Sequence, residues 1–175
     1  DRRTVHLGVD VFMPARTPVH APLDGVVVAA EYRDRHLDYG GMVVLQHDTP
    51  EGDQFLTLYG HLSRETVAAL SVGQRIGRGE QFALLGLPGE NGGWAPHLHF
   101  QLVLFTEGLG VDWPGVADPD EITMWRAICP NPAMLLNRFA QRKDERHADN
   151  ENEQRHDQII KMKAFPLGVV QLIGE

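Results

Sequence analysis

Glycine and proline cut this chain into short lengths, and that punctuation limits its fold class more than any other feature. Eighteen Gly and eleven Pro stand among 175 residues. The apolar segments between them read as many short strands joined by turns. Strands are expected at Val26 to Ala30, Met42 to His47, Phe55 to Tyr59, Gln81 to Gly86, and from His97 towards Leu104, with a very short edge strand within Thr17 to Pro22. Ser63 is placed to cap a short helix, Arg64 to Leu70. Thr4 to Met13 alternates as a single segment: Val5, Leu7, Val9 and Val11 on one face, His6, Gly8, Asp10 and Phe12 on the other.

After Leu104 the character changes. Asp118-Pro119-Asp120-Glu121 is a helix-start signal for Ile122 to Ile128, ended by Pro130. Asn131-Pro132 starts a second helix through Met134, Leu135, Leu136 and Phe139. Residues 141–157 are almost free of apolar side chains and read as a solvated helix or disorder. Ile159 to Glu175 is apolar again, with no partner evident. The boundaries expected are a β-rich domain at 4–104, a helical extension at 105–137 and a polar tail at 138–175.

Several function classes are excluded early. Net charge is −8, which gives no electrostatic support for nucleic-acid binding. The single cysteine, Cys129, rules out an internal disulfide and a cysteine-rich zinc site. Any metal must then be held by histidine and carboxylate. No apolar run approaches the roughly 20 residues of a membrane span. The chain opens at Asp1 with no Met and no signal peptide, and reads as a processed form or a piece of something longer. Val72 to Glu80 holds three glycines but lacks the Lys-Ser/Thr ending of a phosphate loop.

The chemistry-bearing residues are histidines. His97 and His99 stand two apart on a strand, so both project from one face while Leu98 and Phe100 face a core. Two imidazoles side by side suit a metal, or a metal with an adjacent acid/base; taken alone, the motif reads more simply as an exposed strand pair. His6 and Asp10 share one side of their segment, and Gly8 between them leaves room for a close approach to the backbone. His61 follows the strand-ending Gly60, from where it could aim into a cleft. His20 reads as structural, and His36 and His47 read as solvated.

Taken together, three segments resemble a known pattern. His-x-x-x-Asp at 6–10, Tyr59-Gly60-His61-Leu62-Ser63, and Pro96-His97-Leu98-His99-Phe100 are similar to the lysostaphin/LytM-type zinc endopeptidases, peptidase family M23. Thr17 to Val27 and Val72 to Glu80 extend the likeness, which covers roughly residues 4 to 104. The resemblance implies a compact antiparallel β-sheet or sandwich of the duplicated hybrid motif type, with one zinc ion held by His6, Asp10 and His99. It implies His61 and His97 as the catalytic histidines outside the ligand set. Three protein ligands and an open position are what a catalytic zinc site keeps.

The function implied is a zinc metalloendopeptidase that cleaves through a zinc-activated water, with peptidoglycan cross-links or glycyl peptides as substrate. No His-Glu-x-x-His helix supplies a glutamate base. His97 is therefore assigned to water activation and His61 to oxyanion stabilisation or proton delivery; the reverse fits the sequence as well. The loops Glu31 to Gly40 and Leu87 to Ala95 are expected to wall the groove, with Tyr39, Asn91 and Trp94 touching substrate. Gln101 departs from the family, which very often has Glu there. A second reading comes from the extension with Trp113-Pro114-Gly115-Val116 and Cys129-Pro130-Asn131-Pro132. It resembles the M23-like module between a phosphotransferase region and a class III aminotransferase region in fusion proteins. There the module would be cytoplasmic, binding zinc or holding the other domains together, whereas a cell-wall hydrolase would work at the envelope or outside the cell.

Overall fold

The computed structural model describes residues 2–104, 110–133 and 135–136. The described elements are β1 (Val5–His6), β2 (Val9–Phe12), β3 (Pro18–His20), β4 (Gly25–Arg33), β5 (Gly40–Asp48), β6 (Gln54–Leu62), α1 (Arg64–Ala69), β7 (Arg75–Ile76), β8 (Gln81–Leu84), β9 (His97–Val103), β10 (Val116–Ala117) and α2 (Ile122–Ile128). A 3-10 turn at Pro119–Glu121 leads into α2. Six strands form one sheet in the order β2-β9-β6-β5-β4-β7, β1 pairs with β10, and β3 pairs with β8. All these pairings are antiparallel. The fold is thus mainly β with one short helix near its C-terminal side, as expected.

The central strand explains the layering. In β5, Met42 and Val44 turn to one side while Val43 and Leu45 turn to the other, and none of the four is exposed. A continuous apolar run is what a strand covered on both faces requires. One core holds Met42, Val44, Leu56 and Leu58 with Trp113, Ala117 and Cys129. The other gathers Val43, Leu45, Tyr59, Leu62, Leu85 and Phe100. Each large apolar side chain so buried contributes about 1.5–3 kcal/mol. The stretch from Trp113 to Cys129 therefore shares a core with the sheet.

Local signals held where their partners were near in sequence. The Ser63 side chain accepts from the Thr66 amide at 3.1 Å and starts α1, which ends at Ala69. Asp118 accepts from the Asp120 amide at 2.9 Å, capping the 3-10 turn.

Three strand readings are corrected. Thr4 to Met13 is not one strand. It bends at Leu7-Gly8, because β1 pairs with β10 whereas β2 pairs with β9. The Leu7 amide leaves the strand pattern to donate to the Gly115 carbonyl at 2.9 Å, and Leu7 is buried. Glu31 to Arg33 belongs to β4 and not to the loop, since Tyr32 and Arg33 pair with Gly41 and Gly40. Strand β6 runs past Gly60 and His61 to Leu62. It carries an extra residue there: Tyr59 faces Val43 and Leu62 faces Gly41. The extra residue is accommodated by His61 at φ 61°.

His47 is also corrected. It is buried, with Nδ1 2.8 Å from the Asp24 carbonyl and Nε2 2.7 Å from Thr57 Oγ1. Both partners come from other strands or turns, so its neighbours in sequence did not announce it. Much of the expected second helix after Asn131, and the whole tail at 138–175, lie outside the described residues. No helix among the described residues is long and apolar enough to cross a membrane.

Candidate metal centre and catalytic groove

The site is built by register. On β9 the odd positions His97, His99 and Gln101 share a face, and all three are buried. Strand β2 lies alongside with Asp10 opposite His99 and Phe12 opposite His97. Cross-strand neighbours on one face approach to about 4.5–5.5 Å at Cβ, so this pairing alone carries the carboxylate to the imidazole. The bend at Leu7-Gly8 then swings His6 over the same point. Gly8 is needed there: a Cβ would lie 2.7 Å from the Phe100 carbonyl oxygen and 2.9 Å from the His99 ring.

Three donor atoms converge. His6 Nε2 is 2.9 Å from His99 Nδ1, and Asp10 Oδ1 is 3.2 Å from each. Ligands bound to zinc at 2.0–2.2 Å stand about 3.3 Å apart at tetrahedral angles, so the triangle has the size one ion needs. His6 and Asp10 keep 38% and 31% of their side chains exposed, against 4% for His99. One side of the triangle therefore opens to solvent.

The electrostatics suit a cation. Burial, reinforced by the charge of His99, pulls His6 below its ordinary value. Burial works to raise the Asp10 carboxyl, but the neighbouring imidazoles of His99, His6 and His97 outweigh it and hold the group low. At neutral pH His6 is a neutral imidazole and Asp10 an ionised carboxylate, the forms that bind metal.

His61 and His97 lie beside the triangle, their ring centroids 4.3 Å apart. Each has Nδ1 against a backbone carbonyl, Asn91 at 3.0 Å for His61 and Ala95 at 2.6 Å for His97. A carbonyl only accepts, so Nδ1 carries the proton in both rings and Nε2 is the free basic atom. His97 Nε2 is 3.8 Å from Asp10 Oδ1. Burial, then the charge of His97, draws His61 down to about 4. The bulge in β6 is what turns His61 into the groove.

The expected substrate contacts occupy different places. Trp94 is 38% exposed and lines the groove, with its ring 6.1 Å from His61 and 6.4 Å from His97. Tyr39 is buried in the groove floor; its ring is 5.4 Å from that of His99, and its hydroxyl donates to the Trp113 carbonyl at 3.1 Å. Asn91 is buried and shapes its own loop, exchanging hydrogen bonds of 3.0 Å with the Trp94 backbone. It reaches His61 through its carbonyl. The two wall loops are fastened together, the Leu37 amide donating to Gly92 O at 2.9 Å.

Two further residues stand on the groove face, and the sequence reading gave neither a role. Phe12 is 66% exposed, its ring 5.0 Å from that of His97. Gln101 accepts from His99. The period-2 rule that pairs His97 with His99 places both there, Phe12 one step beyond Asp10 and Gln101 one step beyond His99.

The family model for peptidase family M23 matches residues 4–112. The chain belongs to this family. It is 39% identical over 99 residues to the peptidoglycan DD-endopeptidase ShyA of Vibrio cholerae, covering 57% of this chain and 20% of that protein. It is 36% identical over 100 residues to the glycyl-glycine endopeptidase ALE-1 of Staphylococcus capitis, covering 55% and 24%. The catalytic domain of lysostaphin from Staphylococcus simulans is similar at 25% identity with a TM-score of 0.45, covering 68% of this chain and 79% of that one. The chain thus spans about a fifth of the length of the curated M23 relatives it matches. The M23 match ends at residue 112, whereas Trp113, Pro114 and Gly115 also line the groove.

Proposed function

We propose that this M23 domain is a zinc metalloendopeptidase, with a peptidoglycan cross-link or glycyl peptide as its substrate. One observation carries the reading. A ligand triangle open on one side stands next to two histidines whose Nδ1 atoms are held by backbone carbonyls and whose Nε2 atoms have no hydrogen bond among the described residues. A closed structural site would claim a fourth ligand and have no use for those two rings.

His6 through Nε2, Asp10 through Oδ1 and His99 through Nδ1 are the proposed ligands. Zinc bound there would polarise the scissile carbonyl and make an attacking water more acidic. His97, next to Asp10, takes the proton from that water through Nε2. His61 is neutral at pH 7, because its value lies near 4. It therefore enters the cycle with a lone pair on Nε2, and it steadies the substrate oxygen or hands a proton to the leaving amine only after Nε2 has taken up the proton that His97 removed from the water or one from solvent. Asn91 and Ala95 carbonyls hold both rings in the tautomer this requires. Tyr39 and Trp94 narrow the groove around the reacting peptide, which favours small residues whose backbone can lie close to the centre. The names of the relatives support the choice of peptidoglycan and glycyl bonds.

The test is metal analysis of the purified protein with a cleavage assay on peptidoglycan and on oligoglycine, with and without chelator. One bound zinc and chelator-sensitive cleavage are expected. Zinc without cleavage would favour the binding or scaffolding module of a phosphotransferase–aminotransferase fusion. Absence of zinc would sink the metallopeptidase reading and leave the second one only its scaffolding role.

A further inference from the structure

Gln101 is fully buried, and each end of its amide has its own partner. Its Nε2 stands 3.3 Å from the Pro114 carbonyl oxygen and 3.2 Å from Cys129 Sγ, while its Oε1 stands 3.1 Å from His99 Nε2. A backbone carbonyl can only accept, so the amide end that meets Pro114 must be the NH2. The opposite end is then the oxygen, which also only accepts. His99 must therefore present Nε2–H to it. The lone pair of the neutral ring is left on Nδ1, the atom 2.9 Å from His6 Nε2 and 3.2 Å from Asp10 Oδ1.

We propose that Gln101 is a positioning residue that sets the tautomer of His99 and so commits Nδ1 to the metal. The segment from Pro114 to Cys129, beyond the family match, holds the amide the right way round. The same segment steadies the other histidine ligand, because Val116 of β10 pairs with His6 of β1. Gly115 has to be glycine for this packing: a Cβ would lie 2.8 Å from Tyr39 Oη and 3.3 Å from the His99 ring. A partner that orients a ligating histidine contributes about 10–100-fold to metal affinity.

The proposal rests on the zinc reading of the site, and the experiment separates the two. Zinc affinity is measured by chelator competition for the wild type, Gln101→Met and Gln101→Glu. Methionine keeps the shape and apolar bulk but removes the acceptor; glutamate keeps the acceptor. Gln101→Met is expected to bind zinc about 10–100-fold more weakly, and Gln101→Glu at least as tightly as the wild type. A mere packing role reverses that order, and equal affinity in all three overturns the proposal. A wild type that binds no zinc overturns the metallopeptidase reading and this one with it. Imidazole nitrogen NMR of the zinc-loaded wild type needs no variant. It should find His99 coordinated through Nδ1 with a proton on Nε2 that exchanges slowly; coordination through Nε2 overturns the proposal.

Discussion

On the side of the central sheet away from the groove, buried His47 has a partner for each ring nitrogen, the Asp24 carbonyl and Thr57, and Thr57 in turn meets Tyr59 Oη at 3.1 Å. On the groove side, buried His61 and His97 each have Nδ1 held by a carbonyl and Nε2 without a hydrogen bond among the described residues. Same residue type, same sheet, similar burial: what separates them is the unmet half of the hydrogen-bonding capacity. A fully satisfied polar group stabilises and specifies a core. A half-satisfied one, aimed at a groove, has kept an atom for something outside the protein.

The sharpest way to break this contrast is at the ligands. His99→Ala should abolish zinc binding and reduce cleavage to the level of chelated protein, as read by metal analysis and turnover together. His97→Ala and His61→Ala should keep the zinc and lower turnover by about 10²–10⁴-fold, the usual contribution of an acid/base group. If either loses the metal, the division between ligands and catalytic rings is wrong.

The next effect is on stability against pH. His61 is held near 4 when folded, against 6.5 for the ordinary group. Between these values the unfolded chain binds more protons, so stability falls as pH drops and the loss is complete below about 4. The size is on the order of 3 kcal/mol, measured by denaturant melts of chelated protein from pH 7.5 to pH 3.5. Burial lowers His47 as well, so its protonation adds to the same slope. His61→Ala should flatten much of it, and an unchanged slope in that variant would refute the attribution.

On the satisfied face, His47→Ala should destabilise by about 1–3 kcal/mol through the unpaired groups it leaves, with zinc affinity and turnover unchanged. A large loss of activity at fixed stability would dissolve the contrast between the faces. Phe12→Ala gives the smallest change. Its ring is two-thirds exposed, so melting should barely move, while KM for a peptide shifts several-fold at nearly constant kcat.

Much of this molecule was legible because its partners follow short rules. Alternation along β9 put His97 and His99 on one face, and Ser63 announced α1. What failed depended on distant strands. The break at Leu7-Gly8 is dictated by β10, more than a hundred residues later. The turn of His61 into the groove depends on a bulge that only its pairing with β5 reveals. His47 looked solvated because Asp24 and Thr57 are not its neighbours in the chain. The candidate site was readable as a set of residues, but not as a set of tautomers, since those are chosen by the carbonyls of Asn91, Ala95 and Pro114.

The donor triangle draws one atom set from positions 6 and 10 and another from position 99. In a chain whose lone thiol cannot form an internal crosslink, a cation gripped there would act as a staple across a loop of about ninety residues, where closing the loop removes the most freedom from the unfolded chain. Metal loading would then reward only a chain synthesised past β9: a ribosome would have to release that strand before the clasp could shut, and a protein stripped of its ion would loosen first where β2 meets β9.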